Sequence, residues 1–425
     1  MVRCPYPCAK GSQGEMYLSG SKWNMRKKRR PNRPARIFLW IGLIGAAVYA
    51  LKFIVPTVPP LFIPTPTATR SPASYALEAE SLFQAGRLTQ AMDFYRKAIE
   101  ADPREPSTYI ALSRTQVFAG QFEEAETTAR DALLIDPDSP LAHGVLAWTL
   151  DFQGELLDAQ RSAERALELD PRSALLLAYY SEILMDQGKY DEALARAGEA
   201  AQLDPNLLES QRALGYVWES TGNYERALEA YAAALRINPN LSILHVAVGN
   251  MYLNQGDSNK AIDSYLTASA LSPTNPDPLS LIALTYARVG EYGKASQYAA
   301  NASGLDPANP RLHGDLGRML YKGGQYQEAL DELRLAIEGG DTPEGVRVVG
   351  LPLAPGDARV VEFYYTYGLA LARTSQCDEA VQIFQALLLG VPDDEIARFN
   401  AEQGLILCGV LQPAATPQTA DSATP

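Results

Sequence analysis

The sequence predicts an all-α solenoid of paired antiparallel helices behind one N-terminal transmembrane helix. Three observations predict it. Residue types recur at a fixed step of 34 positions through most of the 425-residue chain. Within each step large apolar residues stand at helical spacing, as in Leu279, Ile282 and Tyr286. A 19-residue apolar run, Ile37 to Val55, follows a basic stretch near the N-terminus.

Charge separates the chain into two regions. Twelve of the 37 Lys/Arg but only one of the 50 Asp/Glu, Glu15, fall within the first 70 residues. The remainder is therefore strongly acidic, which opposes binding to a phosphate backbone and excludes a general nucleic-acid partner. Residues 1–36 have no apolar period and read as a disordered basic segment. Cys4 and Cys8 lack a second pair and give no metal site.

Residues 37–55 form the expected span. At 1.5 Å per residue the run makes a helix of about 28 Å, close to the hydrocarbon thickness of a bilayer. Lys52 lies near its far end and can snorkel to the headgroups. The Lys/Arg bias keeps the N-terminus in the cytoplasm and places the body outside it, with a cleaved signal peptide and a cytoplasmic body as the competing readings. Residues 56–71, rich in Pro and Thr, read as a semi-rigid spacer.

The body follows. Gly86, Gly120, Gly154, Gly188, Gly222, Gly256, Gly290 and Gly324 are 34 residues apart, and two alanine columns starting at Ala91 and Ala98 keep the same step. Prolines recur from Pro103 to Pro307 in that register. Glycine ends the first helix of each pair in a left-handed cap, alanine allows close helix approach, and proline stops the second helix.

This pattern resembles the tetratricopeptide repeat. The resemblance implies eight tandem repeats over residues 72–343, an insertion at 344–360, a ninth repeat at 361–394, a capping helix at 395–411 and a frayed tail at 412–425. Two departures stand out: Ser375 replaces the ninth turn glycine, and Gly339-Gly340-Asp341 stands where repeat eight should end in Asp-Pro.

No phosphate loop, nucleophile elbow or zinc helix motif is present, so the chain reads as non-catalytic, with no cofactor and no metal. His143, His245 and His313 all take the fourth position of their repeats, and they read as structural residues. Cys377 and Cys408, at the turn of repeat nine and in the capping helix, fall at one edge of the stack. Either a disulfide or two buried thiols fits them. A bridge would close a loop worth roughly 3–4 kcal/mol.

The family resemblance implies a concave groove lined by the first helix of each repeat, at positions 2, 5, 9, 12 and 13. Those positions give Glu80 and Phe83, then Arg114 and Phe118, Trp148 and Phe152, Glu182 and Met185, and Arg212 and Tyr216. Later repeats give Asn250 and Asn254, Leu284 and Arg288, and Arg311, Arg318 and Lys322. Aromatic anchors near Trp148 and a basic end at Arg318 and Lys322 would suit an extended peptide with an acidic portion. The ninth positions Glu80, Arg114 and Trp148 do not match the residues by which some family members clamp a terminal carboxylate. The function expected is a membrane-anchored scaffold for protein or peptide partners. The alternative is an accessory subunit of an envelope enzyme in polysaccharide or cell-wall synthesis or export.

Overall fold

The computed structural model describes residues 34–54 and 70–412. Most of the basic segment, with Cys4 and Cys8, most of the Pro/Thr spacer and nearly all of the tail lie outside the described residues. Contacts divide the chain into two parts, residues 1–69 and 70–425.

In the first part, α1 (Pro34–Tyr49) continues as a π-helical turn at Ala50–Ile54. Its apolar window, Arg36–Phe53, has a mean hydropathy of 1.6, and by length and composition it is able to cross a bilayer. The helix starts three residues before the expected Ile37.

In the second part eight helix pairs follow in register. They are α2 (Pro72–Gln84) with α3 (Leu88–Ala101), α4 (Pro106–Phe118) with α5 (Phe122–Ile135), and α6 (Pro140–Phe152) with α7 (Leu156–Leu169). Next come α8 (Ala174–Asp186) with α9 (Tyr190–Leu203), α10 (Leu208–Ser220) with α11 (Tyr224–Ile237), and α12 (Ser242–Asn254) with α13 (Ser258–Leu271). The last two are α14 (Asp277–Arg288) with α15 (Tyr292–Leu305) and α16 (Pro310–Lys322) with α17 (Tyr326–Ile337).

The sequence accounts for each boundary. The turn glycines have positive φ, between 73° and 86° from Gly86 to Gly324, a conformation glycine reaches without a Cβ penalty. Both alanine columns are buried. Gly249 serves a different purpose: a Cβ there would lie 2.4 Å from Tyr265 Cε1, so its absence lets α12 sit directly on α13.

The three histidines share one role. His143, His245 and His313 each donate from Nε2 to the carbonyl of the proline six residues earlier, at 3.0, 2.9 and 3.0 Å. Tyr109 and Gln211, at the equivalent position, do the same to Pro103 and Pro205. In repeats two, three, five, six and eight the fourth position thus ties the repeat to the stop of the one before.

After α17 the Gly339–Asp341 stretch turns the chain into a short antiparallel hairpin, β1 (Gly340–Asp341) with β2 (Arg347–Val348). The irregular segment therefore begins inside the expected eighth repeat rather than at residue 344. The ninth repeat also starts earlier than expected: α18 spans Ala358–Arg373, because the Asp357 carboxylate accepts from the Arg359 and Val360 amides. It pairs with α19 (Cys377–Gly390) across a turn in which Ser375 holds φ at 64°. The terminal helix, α20 (Glu395–Leu407), is shorter than expected and stops at a Cys408 cap followed by Gly409 at φ 72°. Cys377 and Cys408 are joined by a disulfide, with Cα atoms 5.5 Å apart.

Candidate functional site

The solenoid coils tightly enough for its first repeat to meet its fifth. Asn240 Nδ2 donates to the Gln84 carbonyl at 2.9 Å, and Asn238 Nδ2 to the Phe83 carbonyl at 3.4 Å. Between these contacts the concave side of repeats one to five closes on itself and becomes a packed interior.

An aromatic ladder fills that interior. Phe83 meets Phe118 edge-on at 5.4 Å, Phe118 meets Trp148 at 5.3 Å, and Trp148 stacks on Tyr179 at 4.5 Å. Trp148 is 1% exposed, and its Nε1 donates to Glu182 Oε2 at 2.9 Å. The Arg212 guanidinium lies 4.7 Å over the Trp148 ring and pairs with Glu182. Arg114 lies 4.5 Å over Phe83 and pairs across the interior with the wholly buried Glu209.

This geometry corrects the expectation of an open aromatic groove. Arg114, Phe118, Trp148 and Glu182 are fixed to one another, together with Phe83 and Arg212, and are not held open for a ligand, while Met185 is buried in a separate apolar cluster with Val217. Stacking covers their apolar surfaces, and each charged group among them has an ion-pair partner within the closed coil.

The rim is different. Phe152 is 37% exposed, with one face stacked on Phe122 at 4.8 Å. Tyr216 is half-buried and donates from its hydroxyl to Asp186. Asp151 is 7% exposed, yet its side chain forms no hydrogen bond or ion pair among the described residues, and its Oδ1 is buried without a partner. Burial, and then the charges of Asp186 and Glu182, push the Asp151 carboxyl up to about 8 against the pull of Arg212. Burial also raises Glu182, opposed by Arg212 and by the Trp148 hydrogen bond. Asp186 is raised by desolvation, opposed by the Tyr216 hydroxyl.

Repeats six and seven leave part of their inward face open. Asn250 is half-buried and accepts from the Tyr265 hydroxyl at 2.7 Å. Leu284 is half-buried, and Asn254 and Arg288 are exposed. Two shallow depressions run along the turns beside them, lined by residues including Asn223, Gln255, Tyr286 and Val289.

The expected basic end is neutralised. Arg318 pairs with Glu362 at 2.6 Å and Asp315 at 3.0 Å, and Lys322 pairs with Glu362 at 3.1 Å. Arg359 also holds Asp315, and Arg311 holds Asp357 at 2.6 Å. Desolvation would raise Glu362, but Arg318 and Lys322 outweigh it and hold the carboxyl below its ordinary range. These charges bind repeat eight to repeat nine across the insertion.

Sequence reasoning passed over Glu209 and Asp151. Their positions within the repeat, second and twelfth, were the available signal, since both belong to the inward set. Among the described residues no group of three or more His, Cys, Asp or Glu is spaced to hold a metal ion.

Family profiles described as tetratricopeptide repeat match residues 82–149, 145–207, 182–242 and 281–343, and one described as TPR repeat matches 249–290. No curated protein sequence matches the chain. Among solved structures, the APC/C hetero-tetramer Cut9–Hcn1 superposes with a TM-score of 0.58 at 16% identity, covering 78% of this chain and 63% of that one. The chain thus spans under two thirds of that relative's length. A thermophilic TPR protein of Thermus thermophilus aligns at 24% identity over 43% of this chain and 100% of that one, with a TM-score of 0.39. Human IFIT1, solved as a dimer with PPP-AAAA, aligns at 17% identity over 62% of this chain and 73% of that one, with a TM-score of 0.43.

Proposed function

Because the chain belongs to the tetratricopeptide repeat family, we propose that it is a non-catalytic scaffold that recruits protein or peptide partners, held at a membrane by its N-terminal helix. The observation that carries this reading is the division of its inward face. Repeats one to five are locked into a rigid coil, while Phe152, Tyr216, Asn250, Leu284 and Arg288 remain accessible along its rim and its continuation. Rigid presentation of a partly aromatic surface lowers the ordering cost of binding an extended segment. Arg318 and Lys322 serve the junction of repeats eight and nine, so an acidic partner is not the one this surface favours.

The Lys/Arg bias around residues 37–55 supports a cytoplasmic N-terminus and a body on the far side. The Cys377–Cys408 bridge is consistent with an oxidising compartment. Protease added to intact cells would then digest the repeats, whereas protection until lysis would reverse the orientation.

Photo-crosslinking residues placed at Phe152 and Leu284 test the scaffold reading, with Glu123 on the exposed face of α5 as control. Discrete adducts from the two inward positions and none from Glu123 are expected. Identical patterns from all three, or none from any, would remove the reading.

A further inference from the structure

The concave mouth at repeats three to five carries acidic groups left without an ion-pair partner among the described residues. Asp151 and Asp186 have no ion-pair partner among the described residues, and Arg212, whose charge acts on both, is paired with Glu182. The buried side-chain atoms left unpartnered there are mainly acceptors. In repeats three to five the acceptors are Asp151 Oδ1, Glu182 Oε1, Gln187 Oε1 and Glu209 Oε2, against two donors, Gln153 Nε2 and Arg212 Nε, and the Tyr179 hydroxyl, which can do either. An unpaired buried acceptor is costly, so a site that keeps several has room for a donor that arrives from outside.

The chemistry of that donor is constrained. The carboxylates are not spaced to chelate a metal ion. They stand beside the exposed edge of Phe152 and the half-buried Tyr216, surfaces that suit an aliphatic stem carrying a charged head. Together they describe a lysine or arginine side chain.

Resting on the scaffold reading above, we propose that Asp151 and Asp186, walled by Phe152 and Tyr216, form a subsite for one cationic side chain of a partner polypeptide. This reverses the acidic partner expected from Arg318 and Lys322. The groups facing Asp151 are Glu182 and Asp186 on α8 and Arg212 and Tyr216 on α10. With its carboxyl raised to about 8, Asp151 is largely protonated at neutral pH in the empty site. A bound cation favours the ionised form, so binding at pH 7 releases a proton, and affinity tightens as pH rises from 6 to 9.

The test titrates the full chain in detergent micelles with acetyl-Gly-Lys-Gly-amide and acetyl-Gly-Arg-Gly-amide. Their norleucine and citrulline counterparts are the neutral controls. Calorimetry is run in buffers of differing ionisation enthalpy. The charged peptides are expected to bind on the order of tenfold tighter than the neutral ones, with proton release at pH 7. Asp151→Asn should remove that preference while keeping or raising the melting temperature, and Asp186→Asn should weaken it. Equal binding of charged and neutral peptides, unaffected by Asp151→Asn, would overturn the subsite and leave the scaffold reading standing. No binding of any peptide would also overturn the subsite, and the crosslinks at Phe152 and Leu284 would then judge the scaffold reading separately.

Discussion

Arg114 and Glu209, 95 residues apart in sequence, are joined in an ion pair across the interior of the coil. Glu209 is fully buried and Arg114 largely so, and the pair ties the second repeat to the fifth. A contact of this span lies outside the nearest-neighbour logic of a linear repeat stack, in which each repeat meets only those beside it. It makes repeats one to five one cooperative body.

Breaking that pair should be costly. Glu209→Ala leaves the Arg114 guanidinium without its partner inside the coil, a change worth about 3–5 kcal/mol. Replacing both residues, Arg114→Met with Glu209→Gln, should cost much less than the sum of the single changes. Thermal melts of the single and double variants check the coupling.

Asp151 gives the pH dependence. Its folded carboxyl is raised to about 8, while in the unfolded chain it titrates near its ordinary value of 3.8. Between those values the folded state holds the proton and the unfolded state has lost it. Stability therefore falls as pH rises through that window and levels off above it. Asp151→Asn should flatten the decline and stabilise the protein at pH 9 by an amount on the order of a few kcal/mol. Denaturant midpoints at pH 5, 7 and 9 measure it.

Ser375 occupies a conformation that costs a side-chain-bearing residue about 1–2 kcal/mol. Ser375→Gly should raise stability by about 0.5–1 kcal/mol, the gain being reduced by the greater freedom of glycine in the unfolded chain. The reverse change, Gly120→Ser, should be destabilising. Both can be read from melting temperatures.

Gly249→Ala would drive a methyl into the ring of Tyr265, which is fully buried and hydrogen-bonded to Asn250. A loss of about 1–3 kcal/mol is expected from overpacking. Adding Tyr265→Leu should recover part of it, which separates a steric cause from a change in helix propensity.

The terminal bridge should act locally. Cys408→Ser opens the link between α19 and the end of α20, a loop of 31 residues whose closure is worth roughly 3–4 kcal/mol in the chain-entropy model. Amide exchange should quicken at Ala401 and Leu405 and stay unchanged at Ala197 in repeat four.

Local structure was legible because each signal acts over a few residues. The turn glycines, the alanine columns and the stops before proline fixed eight helix pairs, and the shared position of the histidines marked them as structural. The hairpin at Gly340–Val348 was not legible, since two-residue strands carry no apolar period. Closure of the coil was not legible for a different reason. The meeting of Gln84 with Asn240 depends on small rotations summed over four repeat junctions, and no single residue encodes that sum. An inward position could therefore be assigned to Trp148 while its solvent access could not. The same holds for Arg318, whose charge was visible but whose partner Glu362 lies beyond an insertion.

The claim that the concave side of repeats one to five is a closed interior, leaving partners to the rim and to repeats six and seven, is tested most directly at Trp148. Deuterium exchange of its indole N–H can be followed in tryptophan-selective spectra of the full chain, with the half-buried Trp218 as internal reference. The hydrogen bond to Glu182 and the surrounding rings predict exchange far slower at Trp148 than at Trp218. Exchange as fast as at Trp218 would contradict the closed coil and return Trp148 to an open groove.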